Sequence, residues 1–150
     1  MQTHSISFKK VAIIVGDGNL PFEVLKGVKK LNINYLSVKI DGVKSKIKES
    51  NSVISFSFER ISELFSELKA KNVDSISFCG YMKRPTLNTE KINEASRKIL
   101  EPILNNSSLG DEALFREILN QFEKENLKPI SLSELIPESY INSGFLTSQL

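Results

Sequence analysis

The sequence contains one cysteine, one histidine and no tryptophan. A lone cysteine, Cys79, cannot form an intrachain disulfide, and a reducing compartment is the default for such a chain. The lone histidine, His4, stands in a short polar lead-in, residues 1–10. Cys79 therefore has no obvious imidazole partner for thiolate chemistry, and no Ser-His-Asp set can be assembled. Cys79 reads instead as a small hydrophobe at a strand end. No Cys/His spacing suggests zinc. Aspartate is scarce too: Asp17, Asp41, Asp74 and Asp111 are far apart in sequence. The residues by themselves do not spell out a carboxylate cluster holding Mg²⁺ against a phosphate.

Long apolar runs are also missing, so no membrane span is expected. The N-terminus lacks the apolar core of a signal peptide. Together with the cysteine count, this places the chain in the cytoplasm as an expectation. Net charge is only +2, and the basic residues are not interleaved with stacking aromatics, so nucleic acid is not an expected partner. Lys44, Lys46 and Lys48 read as a solvated strand edge or loop.

What is present suits one domain with an ordinary core: 150 residues, 40% hydrophobic and 25% charged. Val11–Val15 reads as a buried strand, and Pro21 suits the first position of a helix reaching about Lys30. Tyr35–Ile40 reads as a second strand, ended by Asp41-Gly42. Val53–Phe58 alternates apolar residues with serine, as a half-buried strand does. Ile61, Leu64, Phe65 and Leu68 form one helical stripe. Ser75–Cys79 is a strand ending at Gly80. Lys91–Leu104 has a helical pattern that Pro102 bends or ends. Asp111–Glu125 is the best helix, with Leu114, Phe115, Ile118, Leu119 and Phe122 on its apolar face. Pro129–Leu132 is expected as a last short strand and Leu135-Ile136 as a helical turn. After Pro137 the pattern fades. Alternation of strand and helix predicts an α/β fold, a mostly parallel sheet with helices on both faces. Ligands of such sheets bind beyond the carboxyl ends of the strands.

Three short motifs fall at such ends or at a helix start. Gly16-Asp17-Gly18-Asn19-Leu20-Pro21 follows the first strand. Two glycines allow close backbone approach, and a helix start favours anions. The same residues also make a tight turn that needs no ligand. Pro21 stands where the dinucleotide fingerprint has its third glycine, which argues against NAD. Gly80-Tyr81-Met82-Lys83-Arg84-Pro85 follows another strand. Pro85 keeps Arg84 out of helical geometry, and Lys83 with Arg84 could neutralise a diphosphate or stand as solvated cations. Ser108-Leu109-Gly110-Asp111 has the spacing of a capping box, or Asp111 is itself the N-cap. Capping explains these residues without a ligand.

In their order and spacing, "VGDGNLP", "CGYMKRP" and "GDEALFREILNQFEKENLKPISLSELIPE" resemble the N-terminal half of the LpxI-type UDP-2,3-diacylglucosamine pyrophosphatases of lipid A biosynthesis. "GFLT" at 144–147 resembles that family's stretch before its second domain. The resemblance implies a Rossmann-like N-terminal domain over 1–150, with 137–150 as a tail or linker towards a C-terminal domain that this sequence does not include. It implies Mg²⁺-dependent hydrolysis of UDP-2,3-diacylglucosamine to 2,3-diacylglucosamine 1-phosphate and UMP. The family's key aspartate lies in the second domain, so no catalytic residue is expected here. Gly16, Asp17, Gly18, Asn19, Gly80, Lys83, Arg84, Gly110 and Asp111 are the substrate-side residues it implies. Its partners would be a UDP-sugar, the second domain in cis or trans, and a membrane surface met through the lipid substrate. The alternative is a non-catalytic nucleotide- or partner-binding module, and a weaker one an NAD-dependent enzyme.

Overall fold

The computed structural model describes residues 8–48, 52–82, 87–105 and 110–137. Among these residues five strands form one all-parallel sheet in the order β3-β2-β1-β4-β5. The strands are β1 (Val11–Val15), β2 (Tyr35–Ile40), β3 (Val53–Phe56), β4 (Ser75–Cys79) and β5 (Lys128–Pro129). The helices are α1 (Leu20–Lys30), α2 (Ile61–Ala70), α3 (Glu94–Leu104), α4 (Asp111–Lys124) and the one-turn α5 (Leu132–Leu135). This is the α/β, Rossmann-like arrangement expected from the alternating pattern.

Strand alternation sorts the core into two layers. Ala12 and Ile14 of β1 join Val38, Ile76, the α2 stripe Ile61, Leu64, Phe65 and Leu68, and Leu100 and Phe122 of α3 and α4. Val11, Ile13 and Val15 point the other way, onto Leu20, Val24 and Val28 of α1 and Leu135 of α5. All five residues of β1 are buried, which is why its sequence is an unbroken apolar run.

α1, α2 and α4 end in the same way. Asn32, Asn72 and Asn126 adopt positive φ of 55°, 63° and 63° just past each helix. The next residue's N–H then returns to a carbonyl five residues back: Ile33 to Val28, Val73 to Leu68, Leu127 to Phe122. Each is a Schellman stop that buries an apolar residue and aims the chain into a strand.

The structure moves several expected boundaries. The third strand ends at Phe56, and Phe58 opens a 3-10 turn, Phe58–Arg60. Lys91 lies in another 3-10 turn, Thr89–Lys91, and α3 begins only at Glu94, because the Asn93 side chain caps it by accepting from Ser96 N–H at 2.8 Å. Pro102 sits inside α3 without ending it. The expected strand Pro129–Leu132 is shorter and earlier, Lys128–Pro129: Ser131 accepts from Glu134 N–H and so starts α5 at Leu132. Gly110, not Asp111, occupies the N-cap of α4, and Leu114 N–H reaches its carbonyl at 2.9 Å. Asp111 is the first helical residue, and Ser108 lies outside the described residues.

Candidate functional site

From β1 the chain builds outward through β2 to β3, then returns to place β4 on the other side of β1. That reversal puts a crevice at the carboxyl ends of β1 and β4, the usual ligand position in an open α/β sheet. Gly16 follows β1 and Gly80 follows β4, so both expected glycines arrive there.

The two segments are pinned together beyond the sheet. Gly16 N–H donates to the Cys79 carbonyl at 2.8 Å, Asp17 N–H to the Tyr81 carbonyl at 2.8 Å, and Tyr81 N–H to the Asp17 carbonyl at 3.0 Å. Asp17 and Tyr81 thus form an antiparallel bridge on the end of a parallel pair. Only glycine permits this approach. A Cβ on Gly16 would stand 2.5 Å from the Tyr81 carbonyl oxygen and 2.9 Å from Met82 Cγ. A Cβ on Gly80 would stand 2.7 Å from the Asp17 carbonyl oxygen and 2.9 Å from Pro21 Cγ, and Gly80 also has φ +90°. The space beside both glycines is filled by the chain itself.

Gly18 differs. It has φ +93° and, among the described residues, nothing within 4 Å of where a Cβ would be. Its N–H donates to Asp17 Oδ1 at 2.9 Å. Here backbone is open to an incoming group at the start of α1. Asn19, the N-cap of α1, makes no side-chain cap hydrogen bond. Its Oδ1 accepts instead from Lys46 Nζ at 3.4 Å. Lys46 belongs to the basic loop that the sequence suggested was merely solvated. Burial of Ile47 and Val43 anchors that loop and brings Lys46 to the glycine turn. No spacing in the sequence links positions 19 and 46.

The structure therefore gathers Gly16, Asp17, Gly18, Asn19 and Gly80, and adds Lys46. Gly110 and the backbone of Asp111 open α4. Because α4 leads into a strand parallel to β4, its start lies toward the same end of the sheet, but none of the hydrogen bonds at the crossing reaches it. Lys83 and Arg84 lie outside the described residues.

Cys79 is 2% exposed, and burial pushes its thiol up to about 12. It is packing, not a nucleophile. Asp74 works at the opposite, amino end of the sheet. Its carboxylate accepts from Lys9 N–H at 2.9 Å and Lys10 N–H at 3.1 Å and ties the entry of β1 to β4. Partial burial raises its pKa, but these N–H groups and the Ser75 hydroxyl lower it more, and it falls below the ordinary carboxylate value. Among the described residues no three of His, Cys, Asp and Glu come together. Among the described residues, then, no cluster of side chains would hold a Mg²⁺ ion without oxygens from a substrate or another domain. No described helix is long and apolar enough to cross a membrane.

The family model for the LpxI N-terminal domain matches residues 10–139. A curated relative, the UDP-2,3-diacylglucosamine pyrophosphatase LpxI of Caulobacter vibrioides, is 22% identical over 138 residues, which cover 92% of this chain and 49% of the relative. The chain thus spans about half the length of that relative. It belongs to the LpxI N-terminal domain family.

Proposed function

We propose that this chain is the ligand-side half of a UDP-2,3-diacylglucosamine pyrophosphatase and acts in the cytoplasm, meeting the membrane surface through its lipid substrate. In the complete protein, water attacks a phosphorus of the diphosphate and the bridging P–O bond breaks. The products are UMP and 2,3-diacylglucosamine 1-phosphate. The observation that carries the reading is the glycine crossing at the switch point of the sheet, in a chain of this family.

This chain's own part is to bind and orient. The open space beside Gly18 leaves room for a phosphate oxygen at the start of α1, and the Lys46 ammonium adds a point charge near Asn19. Lys83 and Arg84 follow Tyr81 and Met82 in sequence and serve the same diphosphate. The backbone at Gly110 and Asp111, which opens α4, is assigned to the substrate side as well. We assign Mg²⁺ to the complete protein, and no step described for this chain passes through it. The attacking water is activated by groups of a second domain, supplied in cis or trans. The match covers 49% of the Caulobacter relative, which leaves length there for such a domain. NAD is not the ligand of this reading, because Pro21 stands in place of the third glycine and its ring occupies the space beside Gly80.

The test is UMP release from UDP-2,3-diacylglucosamine with Mg²⁺, by the chain alone and with a C-terminal half of the family supplied. Turnover is expected only with both. Robust turnover by the chain alone would relocate the catalytic groups. Binding without turnover in either arrangement would favour a non-catalytic module.

A further inference from the structure

Among the described residues three large apolar side chains are exposed: Tyr81 at 69%, Phe22 at 44% and Phe115 at 36%. Phe115 is accounted for by Phe78, whose ring centroid lies 5.0 Å away. The other two belong to the segments that meet at the glycine crossing. Phe22 follows Pro21, whose Cγ lies 2.9 Å from where a Cβ on Gly80 would stand. Tyr81 makes no ring contact among the described residues.

Tyr81 is unlike an exposed tyrosine on a loose loop. Its N–H and its carbonyl are both bonded to Asp17, at 3.0 and 2.8 Å. The position Gly16 leaves open is taken by the Tyr81 carbonyl oxygen itself. The backbone is therefore fixed, and only the two side-chain torsions remain to be ordered when the ring is covered. An aromatic ring presented this way binds planar groups at low entropic cost. Its position, at the carboxyl end of β4 and beside the open turn at Gly18, is where a nucleotide would lie.

We infer that Tyr81 is the stacking platform for the base of a bound nucleotide, uracil in this case. The inference rests on the UDP-sugar reading above and extends it from the phosphates to the base. Stacking uses the face of the ring, so the phenol hydroxyl is dispensable.

The test titrates the full chain with UMP and, separately, with ribose 5-phosphate, which carries no base, following both by NMR. Wild type should bind both, and the uracil H5 and H6 signals should move upfield, as expected over a ring face. Tyr81→Ala should weaken UMP binding about tenfold or more, within the range of base–aromatic stacking. It should leave ribose 5-phosphate binding and the melting temperature unchanged. Tyr81→Phe should bind UMP as wild type does. Equal binding of UMP by Tyr81→Ala and wild type, or equal losses for the two ligands, would overturn the stacking role alone. Failure of wild type to bind either ligand would overturn the UDP-sugar reading and this inference with it.

Discussion

Asp17 and Tyr81 exchange two backbone hydrogen bonds, 2.8 and 3.0 Å long, although they come from strands that run parallel. Beyond the sheet the two segments turn to face each other, and this turn converts two strand ends into one site. Both flanking glycines serve it, whereas Gly18 does not.

The three glycines should therefore respond differently to alanine. Gly80→Ala combines a left-handed backbone with a Cβ 2.7 Å from the Asp17 carbonyl oxygen, and a loss of about 2 kcal/mol or more is expected. Gly16→Ala should cost a similar amount from the overlap alone. Gly18→Ala meets no atom of the described residues and should lose only about 1 kcal/mol, from its backbone conformation. Urea denaturation of the three variants checks the ranking, and a Gly18→Ala loss as large as that of Gly80→Ala would contradict it.

Ser77 is buried, and its hydroxyl has no hydrogen-bond partner among the described residues. It stands in register with Ile13 and shares the α1 side of β4 with Cys79. Ser77→Ala removes an unsatisfied polar group and leaves almost the same shape, so stability should be unchanged or rise by up to about 1 kcal/mol. A clear loss on thermal melting would show that the hydroxyl has work in the fold.

Cys79 should be inert to a thiol reagent at pH 8 until the protein unfolds. Burial holds its folded pKa at about 12, well above that of an exposed thiol. The stability this contributes is fully present below the unfolded pKa and is lost as pH rises towards the folded one. Denaturant midpoints measured from pH 8 to pH 11 should fall for wild type, and fall less for Cys79→Ala.

Asp74 has the opposite sign. Its folded pKa is depressed, so its contribution is present above about pH 4, the ordinary carboxylate range, and is lost as pH falls through the folded value. Asp74→Asn should be less stable than wild type at pH 6, with the gap narrowing at pH 3. A gap independent of pH would mean that packing, not charge, matters at that position.

The cations of the proposed diphosphate site are tested in a two-domain protein. Arg84→Ala should weaken UDP-sugar binding or turnover by roughly 1.5–3 kcal/mol, the scale of a hydrogen bond to a charged group. Lys46→Ala should act in the same direction but by less, since it is an exposed point charge. Folding stability should change by no more than about 0.5 kcal/mol in either. Unchanged activity in both variants would leave these cations as ordinary surface.

Periodicity was enough to locate β1, β2 and β4 at the residues where they occur, because each crosses a core and its apolar pattern is imposed by burial. It misplaced the ends that a single side chain decides. Asn93 capping α3 and Ser131 capping α5 each cut a segment where the apolar pattern alone would have continued it. The recurring Asn followed by an apolar residue, at 32, 72 and 126, was a usable signal for helix ends that apolar periodicity does not contain.

By itself the sequence determined the alternation of strand and helix, the two glycine turns at strand ends and the family resemblance, because all of these are written in neighbouring residues. The tertiary structure decided that β1 and β4 lie side by side, so that Gly16 and Gly80, far apart in the chain, meet at one end of the sheet. It alone separated Gly16 and Gly80, whose missing side chains make room for the chain itself, from Gly18, whose missing side chain leaves open space. It alone brought Lys46 to Asn19 and left Tyr81 exposed on a fixed backbone. Contacts between distant residues depend on strand order and on which atoms fill each gap, and neither is a property of a local stretch of sequence.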